Sequence, residues 1–95
     1  MESQQFAAQA VDRGSKILDI YYPGWESKID LERLDLISGT DCVLGQLFGD
    51  FVRGMNVINQ HGQAVNLGFC PDLISASSHP DLRDEWIKEI TARRS

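Results

Sequence analysis

Apolar residues recur at Phe6, Ala10, Ile17, Leu18 and Tyr21. These spacings put them on one face of a helix from about Ser3 to Tyr22, with Gly14 as its weak point. Pro23 disfavours helical backbone in the residue before it, so the helix stops at Tyr22 and Pro23-Gly24 reads as a turn. From Trp25 to Leu36 neither period holds. Trp25, Ile29 and Leu34 suit a short helix, whereas Ile29, Leu31, Leu34 and Leu36 follow no regular spacing, and Asp30, Glu32 and Asp35 alternate through them. The expectation is a helical turn, then an irregular or extended stretch that pins its leucines to the core.

The strongest periodicity lies further on. Ser38-Gly39-Thr40 reads as a loop feeding an N-cap at Thr40, with Asp41 at the positive helix start. Leu44, Leu47, Phe48, Phe51, Met55 and Ile58 then form a helical stripe, which predicts one central helix over about 41–59. Opposite the stripe run Cys42, Gly45, Gly49 and Val52. An interior glycine costs roughly 1 kcal/mol against alanine, so two of them predict the close approach of another helix backbone. Small residues four apart also favour helix contacts in membranes, but Asp50 and Arg53 exclude a span.

His61-Gly62 breaks the pattern. Gln63–Leu67 predicts a short helix with a left-handed cap at Gly68 and Phe69 as the apolar contact beyond it. Pro71–Ser78 reads as a serine-rich loop or a turn of helix. A last helix begins near Pro80, where proline suits the first helical position. It offers Leu82, Trp86, Ile87 and Ile90 to the core, carries Asp81, Asp84 and Glu85 near its favourable end, and frays from Thr91 to Ser95. The expected fold is all-α: one compact domain over 1–95, with four to five helices around the central one.

Composition adjusts this picture in two places. A chain of 95 residues is one domain's worth and buries roughly 60–70% of its unfolded surface, enough for one core but not for a core and a roomy cleft. The formal charge of −5 opposes phosphates, so neither nucleic acid nor an anionic membrane is an expected partner. Lys88, Arg93 and Arg94 are the one basic cluster, and they read as complementing a helix dipole. No leader or long apolar run is visible, so the cytoplasm is the expected compartment, and Cys42 and Cys70 are expected reduced, packed as small hydrophobes.

Candidate chemistry is sparse. His79-Pro80-Asp81 matches the signature loop of J-domain co-chaperones, but the basic helix that should precede it is missing, so the tripeptide reads as a capped helix start. Ala64, Gly68 and Ile74 match helix-turn-helix spacing, yet the second helix would span Pro71 to His79 without arginine or lysine to meet phosphates and base edges. Cys42, Cys70, His61 and His79 lack the closely spaced pairs of a zinc site. No phosphate-cradling loop or nucleophile elbow occurs, so no cofactor, metal or catalytic residue is expected. Tyr21, Tyr22 and Trp25 surround the Pro23-Gly24 turn and read first as core, second as an exposed aromatic anchor.

Trp25, Ile29-Asp30-Leu31, Leu34-Asp35-Leu36, the run Cys42-Val43-Leu44-Gly45-Gln46-Leu47-Phe48-Gly49-Asp50-Phe51 and Gly54 together resemble a group of small proteins encoded by phages of actinobacteria. Ala64, Leu67-Gly68-Phe69 and a tryptophan-bearing helix at Trp86 extend the resemblance to about Trp25–Ile90. It implies a phage origin and expression in the host cytoplasm; the group has no settled activity, so no functional residue is carried over. By elimination and by this resemblance, the expected function is a non-enzymatic interaction module acting on a host or phage protein, or associating with itself. Its candidate face is Gly45, Gln46, Gly49, Asp50 and Arg53, with Trp25 as anchor. The alternative is a helix-turn-helix transcriptional regulator.

Overall fold

The computed structural model describes residues 2–59, 62–70 and 79–94, and these form four α-helices and no strand. The first, α1 (Glu2–Tyr21), stops where proline requires it. Tyr22 still donates its N–H to the Leu18 carbonyl at 2.8 Å, and Gly24 then takes a left-handed φ of 82°, which turns the chain into a 3₁₀ turn at Trp25–Ser27.

The buried face of α1 is made of smaller residues than the periodicity proposed. Ala7, Ala10, Val11, Gly14, Ser15 and Leu18 are buried, spaced three and four apart as one helical face requires. Ile17 is half-buried, Tyr21 is exposed, and the side chain of Phe6 lies outside the described residues. A face of small residues lets main chain lie directly on the helix. Residues 64–69 do so: a side chain at Gly14 would meet the Leu67 carbonyl oxygen, and one at Gly68 would crowd the backbone of Ala10 and Val11. Arg13 fastens the same turn by donating to the Asn66 carbonyl at 3.0 Å.

Residues 64–69 hold the cap geometry expected of them. Phe69 donates its N–H to the Ala64 carbonyl at 2.9 Å and Gly68 to that of Val65 at 3.2 Å, with Gly68 at φ 76°. Those two bonds close a Schellman motif, and Phe69 beyond it is buried. The segment is a single closed turn rather than a helix.

The predicted central helix is two helices. α2 (Val43–Phe48) and α3 (Phe51–Ile58) meet at Gly49-Asp50. Gly49 sits at φ 102°, a conformation few side chains tolerate, and its N–H closes α2 on the Gly45 carbonyl at 2.9 Å. Asp50 is fully extended and opens α3, its carboxylate accepting the Arg53 N–H at 2.8 Å. Glycine as terminator followed by aspartate as cap outweighs continued helix. The N-cap of α2 is also displaced: Cys42 rather than Thr40 takes that position, its Sγ accepting the Gly45 N–H at 3.2 Å.

The two small-residue positions therefore do different work from a helix-packing row. Gly45 lies against the backbone of Gly39 and Thr40, and Gly49 is the hinge. The close helix approach falls instead on Gly54, where an added Cβ would stand 2.7 Å from Leu44 Cβ. Folding α3 back on α2 at this point buries Leu44, Met55 and Ile58 on the same core.

The last helix, α4 (His79–Arg94), packs along α1, and the two form the most extensive helix pair. Leu82, Trp86 and Ile90, four apart, are completely buried, with Ile87 half-buried beside them. Helix continues through Thr91–Arg94, the stretch expected to fray, because Arg93 and Arg94 both bind other elements; Ser95 lies outside the described residues. One cluster of buried residues takes in Leu18, Trp25, Leu44, Ile58, Phe69 and Trp86, so the chain is an all-α single compact domain.

Residues 28–42 have turns but no regular element, yet Ile29, Leu34 and Leu36 are buried. Several carbonyls in and beside this segment accept hydrogen bonds from other elements. Arg83 on α4 donates to the carbonyls of Leu34 at 2.7 Å and Leu31 at 2.9 Å. Arg94 donates to Glu26 at 2.9 Å and also to Ile29, and the Gln46 amide bridges Asp30 and Asp41. Arg83→Met keeps the apolar stem but leaves two partly buried carbonyls without their donor. It should cost about 2 kcal/mol in urea unfolding and raise amide exchange selectively over residues 30–36; unchanged exchange there would show that the arginine does not hold this segment.

Candidate interaction surface

The structure separates the residues proposed as an interaction face. Trp25 and Gly45 are buried, and Gln46 is half-buried with its amide committed to main chain. Gly49, Asp50 and Arg53 are exposed at the corner between α2 and α3. Trp25 takes the core role: its ring meets Trp86 edge-on with centroids 5.7 Å apart, and its Nε1–H donates to Asp19 at 3.0 Å. An anchor for a partner needs an accessible ring, which Trp25 does not offer.

Beside the exposed Asp50 and Arg53, the α2–α3 corner also exposes apolar side chains. Val52 is 66% exposed and Ile37, on the loop that precedes α2, is 68% exposed. Two shallow recesses flank Phe51 and Val52. One, of about 260 Å³, is walled by Leu36, Ile37, Gly39 and Cys70; the other, of about 230 Å³, by Met55, Asn56, Gly62 and Ala64. The Phe51 N–H donates to the Gly39 carbonyl at 2.8 Å, tying α3 to the 36–39 loop and setting the width of the first. Neither reaches the roughly 300–1,000 Å³ of ordinary small-molecule sites, and among the described residues no charged or imidazole side chain lines them. Such a surface can bury apolar side chains from a partner. Sequence reading missed Ile37 and treated Val52 as part of a small-residue row. The available signal was the Gly49-Asp50 break, which turns Val52 outward.

The basic residues of α4 are paired within the chain. Arg93 makes two hydrogen bonds to the Asp19 carboxylate at 2.8 and 3.0 Å, a third to Glu89 at 2.6 Å, and lies 5.2 Å from the Trp25 ring centroid. Lys88 pairs with Glu85 at 3.1 Å. These cations face carboxylates, carbonyls and a ring of their own chain.

Partial burial pushes the Asp19 carboxyl up, but hydrogen bonds from Arg93 and Trp25, with the charge of Arg93, outweigh it and hold it below its ordinary value. A depressed folded value means the carboxylate stabilises the fold above the ordinary carboxylate range near pH ~4, and that this stability disappears as pH falls through that range toward the lower folded value. The difference in Tm between the natural chain and Asp19→Asn should therefore be present at neutral pH and shrink below pH ~4. A difference independent of pH would contradict the charged contact.

The remaining candidates are dispersed or lie outside the described residues. Cys42 is buried, and that burial pushes its thiol up despite backbone N–H bonds to the sulfur, so it stays protonated and a poor nucleophile. Cys70 is half-buried, and neither cysteine is in a disulfide. His61 and the His79 side chain fall outside the described residues, as do 71–78, where the second helix of a helix-turn-helix would lie. Among the described residues no group of His, Cys, Asp and Glu could hold a metal ion, and no helix is long and apolar enough to cross a membrane.

Fold and surface together define the class: a small all-α domain that, among the described residues, carries apolar side chains on an exposed corner. No family model, curated protein or solved structure matches the chain.

Proposed function

We propose that the chain is a non-enzymatic interaction module, a small phage accessory protein acting on a host or phage protein in the bacterial cytoplasm. The supporting observation is the apolar corner of Ile37, Phe51 and Val52 between two recesses. Apolar side chains grouped on a surface mark binding sites more often than scattered ones do. The resemblance to small proteins of actinobacterial phages supplies the setting.

The test compares tagged natural chain, Val52→Asp and Ile20→Asp in pull-downs from actinobacterial lysate, with and without nuclease. Ile20 is as exposed as Val52 but sits on α1, so its change controls for added surface charge. One dominant protein that survives nuclease, disappears with Val52→Asp and persists with Ile20→Asp is the expected result. Both substitutions should leave stability within about 0.5 kcal/mol. Capture indifferent to Val52→Asp would remove this surface from the proposal. Self-association through the same corner would appear in light scattering as a doubled mass that Val52→Asp returns to one chain.

The alternative is a helix-turn-helix regulator, for which the left-handed Gly68 after Ala64 speaks, while the turn at 64–69 stands where that motif has its first helix. Recovery that vanishes with nuclease would promote it.

A further inference from the structure

We draw no further inference here: the strongest candidate, the apolar recess between the 36–39 loop, the first turn of α3 and Cys70, belongs to the surface already described, and nothing in the structure shows what covers it.

Discussion

Gly14→Ala should destabilise the chain by about 3 kcal/mol, although the same change inside an exposed helix adds roughly 1 kcal/mol of stability. The reversal follows from what lies over the helix. A Cβ at Gly14 would stand 2.0 Å from the Leu67 carbonyl oxygen and 3.2 Å from Phe69 Cζ. A crowded side chain can rotate away, whereas a carbonyl inside a closed turn cannot. Relief would have to come from lifting residues 64–69 off α1, which uncovers Phe69. Gly39→Ala is the matched control: an added Cβ there meets nothing within 4 Å, and it should shift stability by about 0.5 kcal/mol at most. Urea unfolding followed by circular dichroism reads both. A neutral Gly14→Ala would mean that the 64–69 turn does not rest on α1.

Trp86→Ala should cost about 4 kcal/mol, a large part of the roughly 5–15 kcal/mol that holds a domain of ordinary size folded. Trp86 is completely buried. It stacks on Phe69 with centroids 5.6 Å apart, meets Trp25 edge-on, and donates its Nε1–H to the Gly68 carbonyl at 2.6 Å. Cavity and hydrogen bond can be separated. Trp86→Phe retains an aromatic ring but has no donor for the Gly68 carbonyl, and should cost about 1–3 kcal/mol. If the alanine and phenylalanine variants lost equal stability, the contacts that a phenyl ring retains would contribute nothing.

How much of this was legible in the sequence depended on what each element left visible. The all-α class, the stop at Pro23, the Gly68 cap and the face of Leu82, Trp86 and Ile90 each had a local signal: a fixed dihedral, a left-handed residue, a clean spacing of four. The break at Gly49-Asp50 escaped because the apolar stripe keeps its phase across it. Leu44, Phe48, Phe51, Met55 and Ile58 are spaced as one helix would space them, so periodicity alone reports continuity. The terminator and cap were present in the two residues between, and they outweigh the stripe. On α1 the large apolar residues drew the eye to Tyr21, while the packed face was Ala7, Ala10, Val11 and Gly14. Small residues carry little hydropathy, and their importance lies in the backbone they admit. The apolar corner was harder still, since Ile37 and Val52 wall one recess across a loop that the bond from Phe51 to Gly39 ties to α3. No spacing rule expresses that contact.

The arginines of α4 set a condition on the order of events during synthesis. Asp19 meets Arg93 across 74 positions, and the carbonyls of Leu31 and Leu34 meet Arg83 across 52 and 49. Translation delivers the amino-terminal half first, at roughly 5–20 residues per second. While that half emerges, Asp19 and the carbonyls of Leu31 and Leu34 lack the arginines that meet them in the fold. Contacts of α1 with residues 64–69 can form before α4 is made, whereas those with Arg83 and Arg93 cannot. A ribosome stalled before residue 83 therefore holds a chain whose first helix and 28–42 segment still lack the cover of α4.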